Sequence, residues 1–446
     1  MAKIKFLGAS GTVTGSSFLV TANSGKTVLV DMGMFQGEEE TTQLNFADLK
    51  FDPRNLSGVI LTHAHLDHCG RLPLLTMNGF NGKIYMTEAT RALFELTLLD
   101  AAKVGKEGHG SHPILYTEED VRRLIYNAEI VDYHKSFSIF EFEINLIDAG
   151  HILGSASIEM NVDNTKIAFS GDLGNTPEDL LKPTENIANA AFVLMESTYG
   201  DRIHAKEDPK EVLAEEINEI EKSGGALLIP AFSIERSQEI LHIIDHLKKN
   251  KKVQDSTPVY LDSPMAIKTT QIYKRFKDLY STELKNHGTD DPFDFPGLTM
   301  IEDFHESEKI KDKTGAKVII AGSGMMHGGR ILNHAMTYFP IETTRLLLVG
   351  FQATGTLGRR ILDGATKVRI YGEEVEIRSH VRKSSGMSAH ADQPKLINWL
   401  SKIQGVSKVF LIHGEDESRN ILSEKIKADL KLNDVVCPKL YDEISL

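Results

Sequence analysis

The chain has 446 residues, 41% of them hydrophobic, a net charge of −13 and a mean hydropathy of −0.21. That is enough material for two or three domains with full cores, and no run approaches the roughly 20 apolar residues of a membrane helix. The two cysteines, Cys69 and Cys437, lie too far apart in sequence to imply a disulfide framework, so a reducing cytoplasm is the expected setting.

Residues 3–8, 16–21 and 26–31 read as strands separated by Gly, Ser and Asn turn signals, with no secretory leader before them. Asp31 closes the third strand, where a carboxylate can orient a histidine through its ring N–H. The apolar run 58–61 then opens LTHAHLDHCG, which packs His63, His65, Asp67 and His68 into six positions. His63 and His65 project together from extended backbone, and Asp67 and His68 follow on a turn. Imidazole and carboxylate donors suit zinc, and the doubled set suits two adjacent ions.

A helix-like segment starts near Arg71, and KIYMT leads into a helical pattern at 88–104. His151 stands in a glycine-flanked turn between strands at 145–162. An isolated histidine is more often a bystander, yet its place at a strand end matches that of His63. KIAFSGDLG puts Asp172 just past a strand, where its two oxygens can bridge two cations, and AFVLMESTYGDR gives Glu196 the same placement. Four strand ends bearing His or acidic groups point to one convergent site.

From about 207 the chain alternates helix and strand, which implies parallel βαβ units with ligand sites at the strand C-terminal ends. Those ends hold Ser233, read as the N-cap of a helix over 233–249, and Arg236, followed by Asp262 and Ser263. Gly322, Ser323 and Gly324 form one glycine-rich turn and Thr354, Gly355 and Thr356 another. Neither is a P-loop, since no GKS or GKT closes it, but each offers backbone N–H groups to a phosphate oxygen. With Arg330, Arg359 and Arg360 they suggest a phosphate-facing surface, and 286–297 reads as loop. After about 376 the strand-and-loop grammar returns, with His390 and Asp392 in SAHAD and His413 at a strand end in IHGE. The acidic balance speaks weakly against a nucleic-acid partner, because bound divalent ions change the sign of charge locally.

His63-Ala-His65-Leu-Asp67-His68 resembles the HxHxDH signature of the metallo-β-lactamase superfamily, and the chain as a whole resembles its β-CASP nuclease branch. Asp31, His151, Asp172, Glu196, His390 and His413 all match the branch pattern, while AGHILGSAS is similar to the polyadenylation-factor group. The resemblance implies an α/β fold, a four-layer αβ/βα sandwich from residues 1–206 and 377–446, with a parallel-sheet β-CASP domain inserted at 207–376. It implies two zinc ions, one on His63, His65 and His151, the other on Asp67, His68 and His413, bridged by Asp172. Asp67 then serves catalysis as well as binding, Glu196 and His390 pair near the scissile phosphate, and Cys69 binds no metal. The implied activity is hydrolysis of RNA to 5′-phosphate and 3′-hydroxyl products. The implied partner is single-stranded RNA, with no membrane and with a homodimer among the compatible assemblies. Competing readings are a thioester or lactone hydrolase, a DNA-directed nuclease of the same fold, and a non-catalytic RNA-binding scaffold.

Overall fold

The computed structural model describes residues 1–107, 113–175, 180–204, 207–286, 291–350, 352–353, 355–384 and 386–446. The chain divides into two units, Met1–Ile203 with His390–Leu446, and His204–Ala389.

The first unit holds two seven-stranded sheets. In one, Glu443–Ser445, Lys3–Phe6, Phe18–Thr21 and Thr27–Val30 run antiparallel, and Leu56–Ile60, Ile84–Met86 and Ala128–Ile130 add in parallel. In the other, Phe137–Ile139, Phe142–Asp148, Ala156–Val162 and Thr165–Phe169 form an antiparallel meander. Phe192–Glu196, Lys408–Ile412 and Val435–Val436 then add in parallel.

The residue pattern explains the layering. Side chains alternate across a strand, so Leu194, Phe410 and Ile412 enter the core between the sheets with Phe6, Phe18 and Ile60. Val193, Met195, Val409 and Leu411 point the other way, onto Leu396, Trp399, Leu422 and Ile426 of the helices Gln393–Ser401 and Asp416–Leu430. Strands buried on both faces must be apolar throughout, and VLM and VFL are. The helix Glu88–Glu107 packs with Glu118–Tyr126 beside the first sheet, so helices cover the sandwich and the expected αβ/βα class is observed.

The second unit is a parallel sheet of six strands in the order Leu298–Met300, Val259–Leu261, Lys317–Ala321, Ala226–Pro230, Arg345–Leu348, His380–Lys383. One face buries Leu228, Ile319 and Leu346 against Ile331, Ala335 and Phe339 of the helix Arg330–Tyr338 and its end. The sequence reading returned the chain to the sandwich at 377. Here His380–Lys383 is the edge strand of the parallel sheet, and its charged residues HVRK suit an edge better than a doubly covered centre.

One further difference is local. Ser233 does not cap the following helix, which begins at Arg236 after Glu235 at φ +69°. Ser237 N instead reaches back to Phe232 O at 3.2 Å and Gln238 Nε2 holds Ser233 O at 3.1 Å, closing a turn that uses up the first helical positions. The segment 286–297, read as loop, is loop over its described part 291–297; Asn286 ends the helix Thr282–Asn286, the strand Leu298–Met300 follows, and 287–290 lie outside the described residues. Among the described residues, no helix is long and apolar enough to cross a membrane.

Candidate metal centre

Every sequence-predicted ligand lies in the first unit, at the end of a strand or on the turn after it. His63 and His65 follow Leu56–Ile60, Asp67 and His68 ride the one-turn helix Leu66–Cys69, and His151 follows Phe142–Asp148. Asp172 follows Thr165–Phe169, Glu196 ends Phe192–Glu196, and His413 follows Lys408–Ile412. The expected ligands form two groups, each within 4.8 Å: His63, His65, His151 with Asp172, and Asp67, His68 with His413; Asp172 also forms a third group with Glu196 and His390.

Asp172 stands between the groups. Its Oδ2 is 3.4 Å from His63 Nε2 and 3.6 Å from His151 Nε2. Its Oδ1 is 3.2 Å from His68 Nε2 and 3.6 Å from His413 Nε2. Burial opposes its charge, but the facing histidine rings, above all His413 and His68, outweigh burial and hold its carboxyl well below the ordinary range.

Hydrogen bonds behind the rings decide which nitrogen faces inward. The Asp31 carboxylate accepts from Thr62 N, Thr62 Oγ1 and His68 Nδ1, each at 2.8 Å, so His68 presents Nε2. With its proton given to Asp31, the Thr62 hydroxyl accepts from His63 Nδ1 at 3.1 Å, and His63 also presents Nε2. Thr198 Oγ1 lies 3.0 Å from His413 Nδ1. The sequence reading named Asp31 but missed Thr62 and Thr198; a hydroxyl beside or opposite a strand-end histidine was the available signal.

Burial pushes the His63 imidazole down to about 3, against the pull of Asp172, and His65 down to about 4. His151 falls well below its ordinary value for the same reason. Neutral imidazoles are what a metal needs. His65 Nδ1 faces His63 Nε2 at 3.1 Å and His151 Nε2 at 3.2 Å, so lone pairs converge on one point. Both Asp172 oxygens are buried with no hydrogen-bond partner among the described residues. Buried carboxylate oxygens without a hydrogen-bond partner, facing the neutral imidazoles of His63 and His151, are costly unless a cation satisfies them, and this N- and O-donor set fits zinc.

His390 stands beside the groups. Its Nδ1 lies 3.2 Å from Glu196 Oε2 and 3.9 Å from Asp172 Oδ2. Burial opposes its charge, but Glu196 and Asp172 outweigh burial and push it up to about 9. Glu196 is fully buried and accepts from Leu173 N at 2.6 Å, which fixes its carboxylate. Asp392, two residues from His390, accepts from Lys395 N as the cap of a helix. Cys69 packs in the interior with Sγ 3.6 Å from Ala64 O, and burial raises its thiol well above the usual range.

In the second unit, Ser233 Oγ lies 3.4 Å from Ser263 Oγ, and a Cβ on Gly322 would sit 3.8 Å from the first and 3.7 Å from the second. Ser323 Oγ accepts from His327 N at 2.9 Å, and Gly324 lies under Phe232. Thr356 Oγ1 caps the helix Leu357–Leu362, Gly355 is exposed, and Thr354 falls outside the described residues. The cationic surface suggested by sequence is largely neutralised within the unit. Arg236 is buried and paired with Glu239, Arg330 is 2.6 Å from Asp262, and Arg359 pairs with Asp363.

Comparisons with known proteins agree with this geometry. Residues 10–230 match the metallo-beta-lactamase superfamily, 237–361 the Beta-Casp domain, and 374–438 the Zn-dependent metallo-hydrolase RNA specificity domain. The chain is 39% identical over 415 residues to Ribonuclease TTHA0252 of Thermus thermophilus, covering 92% of each. It is 32% identical to an RNase J-like protein of Methanocaldococcus jannaschii, covering 93% of each. A solved structure of a protein of unknown function from Enterococcus faecalis shares the fold at 12% identity, with a TM-score of 0.55 over 100% of both chains. The chain therefore belongs to the metallo-beta-lactamase superfamily, in the branch that carries a Beta-Casp domain.

Proposed function

We propose that the protein is a zinc-dependent ribonuclease that hydrolyses phosphodiester bonds of single-stranded RNA to 5′-phosphate and 3′-hydroxyl products. The observation that carries this reading is the doubled donor set around Asp172 with the buried Glu196–His390 pair at its side. The similarity to ribonucleases over nearly the whole chain gives the substrate class. A lactone or thioester hydrolase would use the metal groups but leave Glu196 and His390 without a task.

Two zinc ions are expected, one held by His63, His65 and His151, the other by Asp67, His68 and His413, with Asp172 between them. Zinc supplies Lewis-acid chemistry, making water acidic near neutral pH and offsetting negative charge on phosphoryl oxygens. The chain's own residues do the rest. Asp31 and Thr62 hold His68 and His63 in the tautomer that binds. Thr198, 3.0 Å from His413 Nδ1, leaves that ring's Nε2 facing inward, 3.3 Å from Asp67 Oδ2. Glu196 favours the charged form of His390, which is placed to carry a proton and give it to the departing 3′ oxygen, an effect worth roughly 10²–10⁴ in rate. Its Nδ1 is turned to Glu196, so the transferable proton is the one on Nε2.

The sandwich unit comprises the catalytic domain, the inserted unit contributes RNA contacts through Ser233 and Gly322–Gly324, and the two free cysteines suit a reducing compartment. The test is digestion of matched RNA and DNA oligonucleotides, 5′-monophosphorylated or 5′-blocked, with and without a chelator. RNA cleavage lost on chelation and restored by zinc is the expected result. Lactone hydrolysis without RNA cleavage, or preference for DNA, overturns it.

A further inference from the structure

We infer that Phe232 is a stacking platform for one base of the bound RNA, an inference that rests on the ribonuclease reading above. Phe232 follows the central strand Ala226–Pro230 and leaves 39% of its surface exposed. Its ring lies over two glycines. A Cβ on Gly324 would come within 2.8 Å of Phe232 Cδ2 and 2.9 Å of Cε2, and one on Gly350 within 3.4 Å of Cε2. Any side chain at Gly324 would displace the ring, so the sequence sets a bare shelf beneath it.

The backbone of Phe232 is held as well. Its carbonyl accepts from Ser237 Oγ at 2.8 Å and Ser237 N at 3.2 Å, and the preceding Ala231 N donates to Ala321 O at 3.0 Å. An isolated exposed aromatic needs no explanation in general. One seated on glycine, with a fixed backbone and an open face, is a preformed surface.

Topology gives the surface its meaning. From Ala226–Pro230 the chain crosses to Val259–Leu261 on one side of the sheet. From the adjacent Arg345–Leu348 it continues to His380–Lys383 on the other side. Those two strands flank a switch point, the place where open parallel sheets bind ligands at their carboxyl ends. Phe232 and Gly350, in contact with each other, follow these two strands. The hydroxyls of Ser233 and Ser263, 3.4 Å apart, share the same end of the sheet. An aromatic face beside hydroxyls and glycine backbone suits a nucleotide, with the base on the ring and the sugar-phosphate on the polar groups. Stacking of this kind tolerates any base.

The test uses the full zinc-loaded chain and short single-stranded RNAs in which one nucleotide at a time is made abasic. In the wild type, one abasic position should weaken binding about 5- to 150-fold, the range base–aromatic stacking provides. Phe232→Ala should show a similar loss with intact RNA, falling on KM far more than on kcat, and should be indifferent to the abasic position. Phe232→Tyr and Phe232→Trp should restore binding where Phe232→Leu does not, and 2-aminopurine at that position should be quenched by wild type and not by Phe232→Ala. The proposal is overturned if no abasic position matters in the wild type, if Leu serves as well as Tyr, or if the abasic loss persists in Phe232→Ala. The wild-type scan needs no variant to fold. Failure of the ribonuclease reading would appear separately, as wild type that does not cleave intact RNA.

Discussion

At His68 one hydrogen bond settles the chemistry of the ring: Nδ1 gives its proton to Asp31, and Nε2 must therefore face Asp172. The clustering of the donors was legible from sequence, because His and Asp recur at strand ends and HxHxDH supplies four of them. Thr62 and Thr198 were not, because a hydroxyl beside a histidine looks like any surface threonine until the ring nitrogen it meets is known. His390 carries a ligand-type side chain but sits with Glu196. His390→Ala should keep its zinc and bind RNA nearly as well as the wild type, while cleavage falls by the ~10²–10⁴ of a lost general acid. Glu196→Gln should lower the rate too, and the double variant should lose much less than the product of the two, since the pair acts as a unit. His68→Ala is the control that should lose zinc and activity together. Loss of a zinc ion from His390→Ala in proportion to activity would make His390 a ligand and end this assignment.

Elements were legible where one physical pattern dominated. Phe192–Glu196 and Lys408–Ile412 read correctly as strands, whereas Ser233 misled because the cap rule is local and the turn is set by Phe232, Gln238 and Ser237. The loops between elements carry tighter constraints than their sequence shows. A Cβ on Gly174 would lie 1.8 Å from Gly150 O, so the loop bearing Asp172 and the loop bearing His151 touch backbone to backbone. Gly174→Ala should force them apart and weaken zinc binding by about 10- to 100-fold, as losing an orienting contact does; metal titration with unchanged affinity would refute the constraint. The strand Phe142–Asp148 ends in a carboxyl that burial, aided by Glu185, pushes up to about 7 despite a hydrogen bond from Gly150 N. A raised acid favours the folded state while protonated. Its contribution is fully present below the unfolded value of 3.8 and is lost as pH rises through about 7. In chelated protein, Asp148→Asn should therefore gain on the wild type by about 2 kcal/mol between pH 5 and pH 8 in urea unfolding. An equal pH response in both proteins would show that this carboxyl titrates normally.

At the scale of the molecule, the interruption of one domain by another was legible in the return of ligand-bearing strand ends after the helix–strand alternation. Where the chain leaves the insert was not, because the edge strand HVRK has the composition of a loop. The consequence of the interruption is long-range closure. Asp67 and His413 meet across 346 residues of sequence, and the seven proposed ligands draw on both sheets of the sandwich. Zinc bound there would hold the sheets and the C-terminal return together, and at a thousandfold excess over Kd binding adds about 4 kcal/mol to stability. Without it, like-facing imidazoles and an orphaned carboxylate remain buried at the junction. Hydrogen exchange on chelated and zinc-loaded protein should thus differ most in Leu56–Ile60, Thr165–Phe169 and Lys408–Ile412, the strands that lead into ligands. Ala226–Pro230 and Lys317–Ala321 lead into none and should change least. His413→Ala in excess zinc should reproduce the loss of protection in Lys408–Ile412 while sparing much of that in Leu56–Ile60, because His63, His65 and His151 still hold their ion. Uniform slowing of exchange across all five strands on adding zinc would mean the metal acts on global stability alone and not by joining the strand ends that carry its ligands.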